Sequence, residues 1–285
     1  MFPDFGQPIR RSTNELVDYL VINFGDVFEA IANSLLVVLV GLEHLLRAAP
    51  PWLIIALIGV LAYAASRRIG LTIAMVIATY AVGALGLWEQ AMQTIAIMLV
   101  SVIISILIGI PVGILMARSA LSRALINPVL DLMQTIPSFV YLIPAAMLFG
   151  LGKVPAILAT IIYATPPLIR LTDLGIRLVD TEVVEAARSF GATRWQVLSK
   201  VQIPLALPSI MQGINQTMMM ALAMVVIASM IGARGVGETV LLGLQRNDSG
   251  QGLVGGIVIV ILAIIFDRIS QAFGHRMQGY RQVQG

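Results

Sequence analysis

Residues 91–117 run for 27 positions without one charged side chain. At a rise of about 1.5 Å per residue, a helix of that length reaches about 40 Å, more than the hydrocarbon core of a bilayer. Further apolar stretches fill most of the chain, and 285 residues cannot build a soluble core that hides them all. Backbone polar groups in lipid must be satisfied within the protein, which selects helices for such segments. The expected fold class is therefore an all-α polytopic membrane protein. Composition agrees: 58% of residues are hydrophobic and 12% charged, and the mean hydropathy is +0.93. Soluble domains carry about 25% charge.

Seven spans are expected, at 52–66, 71–88, 91–117, 132–151, 154–168, 206–231 and 253–266. Pro111 should kink the third, and Pro166-Pro167 with Arg170 should end the fifth. Residues 1–25 read as a polar tail. Residues 26–48 read as an amphipathic interfacial helix ended by Pro50-Pro51, because Asp26, Glu29, Glu43, His44 and Arg47 crowd a short apolar run. A spanning helix there is the alternative, giving eight spans. The chain then divides into a tail and interfacial helix at 1–50, a membrane domain at 51–272, and a basic tail at 273–285. Met1–Arg11 is polar and does not resemble a secretory signal. The absence of cysteine removes disulfides and thiolate chemistry. The pI near 9.5 goes with a net charge of only +3, so no nucleic-acid partner is expected; the apolar surface points to membrane lipid.

One polar stretch interrupts the apolar pattern, Asp180 to Pro204. Asp180 or Thr181 can cap a helix start, and Glu182 suits its positive end. Gly191 can adopt the left-handed conformation that ends this helix. Thr193 and Gln196 form a capping-box pair for a second helix, which Pro204 should end near Ile203. The product is a helical knuckle with apolar Val183, Val184, Ala187, Phe190, Leu198 and Val201 and charged Glu182, Glu185, Arg188, Arg194 and Lys200. Such a knob can dock into a partner's groove.

Glu185-Ala186-Ala187, Gly191 and Val201-Gln202-Ile203-Pro204, in that spacing, resemble the coupling loop of bacterial ABC importer permeases. The stretches 133–144, 214–217 and 226–232 narrow the likeness, which covers about residues 30–270, to permeases for glycine betaine, proline betaine and choline. The resemblance implies a type I importer transmembrane domain with coupling loop 173–204. It places the ATPase-coupling role on Glu182, Glu185, Ala186, Ala187, Arg188, Gly191 and Trp195. It also implies a separate ATPase subunit holding ATP and Mg, a separate substrate-binding protein, and a second permease copy in a homodimer in the bacterial inner membrane. The basic segment after Arg268 has no counterpart role.

With the knuckle cytoplasmic, twelve basic residues near the spans fall inside: Arg67, Arg68, Arg118, Arg123, Arg170, Arg177, Arg188, Arg194, Lys200, Arg268, Arg276 and Arg281. Four fall outside: Arg47, Lys153, Arg234 and Arg246. That asymmetry obeys the positive-inside rule, and the C-terminus is cytoplasmic too. No G-x-x-x-x-G-K-[ST] loop exists, so ATP cannot be held here by a P-loop. Gly150-Leu-Gly152-Lys153 and Gly232-Ala-Arg-Gly235-Val-Gly237 read as external turns. The two histidines, His44 and His275, show no metal spacing, and no nucleophile–base cluster points to catalysis. An ion-coupled secondary transporter is the rival reading, weakened because 91–117 and 206–231 hold no ionisable residue. Candidate path residues are Gln212, Asn215, Gln216 and Met219 on one helix, with Gln134, Pro137, Phe139 and Tyr141 on another. Ser209, Gln212 and Gln216 share a helix face. Helix-to-helix hydrogen bonding explains the amides equally well.

Overall fold

The computed structural model describes residues 6–282, with side chains through Gly274. The side chains of His275, Arg276 and Arg281 in the expected basic tail lie outside the described residues, as do residues 1–5 and 283–285. Helices account for nearly all of the described chain. Five are long and apolar enough to cross a membrane: α1 (Gly6–Ala48), α4 (Trp88–Arg118), α7 (Lys153–Arg177), the helix running Arg194–Ile231, and α12 (Ser249–Gln282). Two more, α2 (Pro51–Ser66) and α3 (Ile69–Ala84), are apolar but have only 16 residues each.

The N-terminal region departs from the interfacial reading. Residues 26–48 belong to the 43-residue α1, broken locally at Phe24 (φ −124°, ψ 15°). Two of the charges that shortened its apolar run, Glu43 and Arg47, are paired with residues distant in sequence. Glu43 is buried and accepts from Lys153 Nζ, while Arg47 lies near Glu43 and donates to Glu89 at the start of α4. A paired carboxylate is far less costly in an apolar setting than a lone one.

Two expected spans also change shape. The expected span 132–151 is not one helix. Helix α5 (Ala120–Thr135) stops at Ile136, whose extended backbone (ψ 128°) precedes Pro137. A 3-10 turn at Ser138–Tyr141 and α6 (Leu142–Phe149) follow, bent from α5 by 106°. Conversely, Pro166-Pro167 does not end the next span: α7 continues to Arg177. Nearby hydroxyls supply extra hydrogen bonds across this region, as Thr165 Oγ1 donates to the Ile161 carbonyl and Thr217 Oγ1 to that of Ala164.

Helix α7 is the centre of the molecule, packed between α4 and α10 (Ile203–Ile227). Small residues bring the backbones close, as membrane helices require. A methyl group on Gly113 would lie 2.6 Å from Thr172 Cβ, and one on Gly175 would lie 2.6 Å from Ser209 Cβ. The main apolar core joins α4 and α7 to α10 through Ile97, Met98, Ile157, Ala164 and Met224, all fully buried. After α10, a 3-10 turn and Gly232 (φ +85°) lead to α11 (Val236–Gln245), whose first amide donates to Thr94 Oγ1 of α4.

Candidate coupling surface and translocation path

The knuckle forms as its caps dictate. Asp180 accepts from the Glu182 amide and starts α8 (Thr181–Ser189). Gly191, at φ +81°, makes the left-handed turn. Thr193 and Gln196 close a reciprocal capping box and open α9 (Arg194–Val197). No residue of α8 is buried. Phe190 is 94% exposed and Trp195 66%, so two aromatic rings stand on the knob without apolar cover. Glu182, Glu185, Ala186 and Arg188 are also exposed, and Ala187 is half-buried. Arg118, at the end of α4, lies over the Trp195 ring at 5.9 Å from its centroid, a cation–π contact.

The second arm does not end near Ile203 as expected from Pro204. Helix α9 passes into a π-helical segment, Leu198–Gln202, and then directly into α10. The Ile203 amide donates to the Leu198 carbonyl five residues back. That wider turn lets Ile203 keep helical backbone (φ −59°, ψ −49°) despite the proline after it. The second arm of the knuckle and the spanning segment are thus one rod, Arg194–Ile231.

On α10 the amides separate. Gln212 and Gln216 are exposed, with Met219 half-buried beside them. Asn215 is turned to α12 instead. Its Nδ2 donates to Asp267 Oδ1 at 3.1 Å, its Oδ1 accepts from Ser270 Oγ, and Gln271 Nε2 also reaches Asp267 Oδ1 at 2.7 Å. Asn215 therefore joins two helices, while Gln212 and Gln216 face outward. On the bent segment, Gln134, Pro137 and Phe139 are exposed. Tyr141 is buried: its hydroxyl donates to the Met133 carbonyl, and its ring lies 6.5 Å from that of Tyr163. Phe139 and Tyr141 do not share one surface, so no paired aromatic cage forms here.

A feature not singled out from sequence lies behind the knuckle. Asp173, buried in α7, accepts from Arg177 at 3.0 Å and from Arg123 at 3.2 Å. Arg123 also donates to the Met116 carbonyl at the end of α4. The i, i+4 spacing of Asp173 and Arg177 was the available signal; the partner from α5 was not visible locally.

Residues 109–279 match the model of the binding-protein-dependent transport system inner membrane component family. The chain is 47% identical over 277 residues to the glycine betaine/proline betaine transport system permease protein ProW of Escherichia coli (strain K12), covering 96% of this chain and 78% of that protein. It is 46% identical over 272 residues to the glycine betaine/carnitine transport permease protein GbuB of Listeria monocytogenes, covering 94% of this chain and 96% of that protein. Among solved structures, an inward-facing MetNI methionine ABC transporter aligns with a TM-score of 0.60 at 22% identity, over 65% of this chain and 93% of that chain, a likeness of fold. The chain belongs to the binding-protein-dependent inner membrane component family, as the permease subunit of an ABC importer whose ATP hydrolysis is carried out by a separate subunit.

Proposed function

We propose that this permease carries a quaternary amine osmolyte, glycine betaine, choline or a relative, inward by alternating access. The names of ProW and GbuB support the substrate class. One structural observation carries the mechanism: the second arm of the exposed knuckle is continuous with the helix that presents Gln212 and Gln216. A push on Trp195 then reaches the path along one continuous helix, and a push on Glu182, Glu185, Ala186, Ala187 or Arg188 of α8 reaches it through the Gly191 turn. Closure of the ATPase pair moves the knuckles together and tilts the α10 rods, which opens the path to the loaded binding protein. Hydrolysis resets it. The carrier has no covalent chemistry to perform.

In this proposal residues 51–272 form the permease domain, with coupling loop 173–204, and two copies pair as a homodimer. A separate ATPase supplies ATP and Mg, and a separate binding protein delivers substrate outside. The coupling loop and C-terminus face the cytoplasm of a bacterial inner membrane. Gln134, Pro137 and Phe139 join Gln212, Gln216 and Met219 along the path. Tyr141 braces the bend and Asn215 fixes α12 behind it.

The ion-coupled rival is overturned by the family membership. The deciding experiment is reconstitution of the permease with its ATPase and binding protein in vesicles containing ATP. Uptake of labelled glycine betaine or choline that requires both partners and ATP supports the proposal. Uptake of neither, under conditions where another solute is carried, sinks the substrate assignment.

A further inference from the structure

Behind the knuckle lies a cavity of about 280 Å³ bordered by Arg118 of α4, Arg188 of α8 and Arg194 of α9. Its lining is mainly polar and includes Gln202, with the buried side chains of Ile176, Val197 and Leu198 packed beneath it. Among the described residues, none of the three arginines has a carboxylate within ion-pair distance. Their neighbours explain why. Asp173 is already shared by Arg123 and Arg177. Glu185 borders an adjoining cavity with Arg177 and Arg188 but pairs with neither. Arg118 places its guanidinium over Trp195, which leaves it charged.

A guanidinium does not deprotonate in proteins, so the three charges cannot relieve their repulsion by titrating. All three are exposed, so water screens part of this repulsion, yet among the described residues none has a carboxylate of the protein to offset its charge. Planar N–H forks arriving from three helices suit a tetrahedral oxyanion, which offers several acceptors at once. We infer that this cavity is a phosphate-type oxyanion site, filled by a phospholipid headgroup or by free phosphate, that clamps both arms of the knuckle to the end of α4. Basic pockets at the cytoplasmic ends of spanning helices are suited to anionic headgroups. Its consequence for coupling rests on the knuckle being the ATPase dock; anion binding itself does not.

The test uses full-length permease purified in detergent, and the same protein in nanodiscs. In detergent, inorganic phosphate is titrated against chloride at matched ionic strength, with thermal stability as the readout. In nanodiscs of phosphatidylcholine with or without phosphatidylglycerol, native mass spectrometry counts retained anionic lipid. Arg194→Gln and Arg188→Gln should each weaken phosphate binding by about tenfold or more, or abolish lipid retention, while Arg68→Gln on another loop leaves both unchanged. A phosphate response assigns the free anion; lipid retention without it assigns the headgroup. No response in either arm, or equal responses in wild type and both cavity variants, overturns the site. Failure of the ATPase to co-purify would instead defeat the docking reading and leave this result standing.

Discussion

Gly191 turns the chain at φ +81°, and a side chain there would meet nothing within 4 Å. The penalty for any substitution is therefore backbone strain alone, about 1–2 kcal/mol for an ordinary L-residue. Asparagine tolerates this region better than a β-branched residue. In the assembled importer, Gly191→Val should cut substrate-stimulated ATPase activity several-fold by swinging α8 relative to α9, while Gly191→Asn keeps most of it. Equal activity in the two would show that the turn does not set coupling. Gly113 is the opposite case: its φ is helical, and space is the limit. A methyl group would sit 2.8 Å from the Ile169 carbonyl as well as against Thr172. Gly113→Ala should cost about 1–3 kcal/mol by prising α4 from α7, seen as a lower melting temperature in detergent. Gly41→Ala, where a methyl meets nothing within 4 Å, is the control and should not destabilise.

At the scale of elements, what is encoded within a few residues was legible and what depends on neighbours was not. Asp180, Gly191 and the Thr193–Gln196 box determine their turns through bonds spanning two or three positions, and all form as expected. The bend at Ile136-Pro137 and the unbroken run through Ile203-Pro204 share one dipeptide yet end differently. At Pro204 a π turn absorbs the ring; at Pro137 the chain leaves the helix. Likewise α7 passes its two prolines with hydroxyl donors nearby, one of them on another helix. The path amides divide for the same reason. Asn215, Gln212 and Gln216 look equivalent in sequence, but Asp267 and Ser270, more than fifty positions away, claim Asn215. Asp267→Leu should cost about 1–3 kcal/mol by stranding the Asn215 and Gln271 amides. Asp267→Asn, which keeps an acceptor and drops the charge, should stay near wild type, because no basic side chain pairs with Asp267 among the described residues. Urea-free thermal unfolding in detergent separates them; equal losses would mean that the charge itself matters.

The whole molecule has a topology that the charge count leaves open at one end. Seven spans place the N-terminus outside, and eight place it inside. We infer the second from the ion pairs. Arg47 at the end of α1 pairs with Glu89 at the start of α4, so these two ends share one face of the membrane. Lys153 at the start of α7 reaches Glu43 on that same face. The intervening α2 and α3 pack together as a hairpin turned at Arg67 (φ +54°), so they leave this face and return. If the knuckle is cytoplasmic, as proposed above, this face is external and α1 is expected to cross inward to outward, which would put residue 13 in the cytoplasm. The chain has no cysteine, so single substitutions report position without background. In intact spheroplasts, a membrane-impermeant maleimide should label Leu151→Cys and Asn247→Cys, both at exposed positions. Thr13→Cys and Ser189→Cys should react only after permeabilisation. Labelling of Thr13→Cys from outside would return α1 to the interfacial position and the count to an odd number. Labelling of Ser189→Cys from outside would invert the whole chain and remove the knuckle from the side where ATP is hydrolysed.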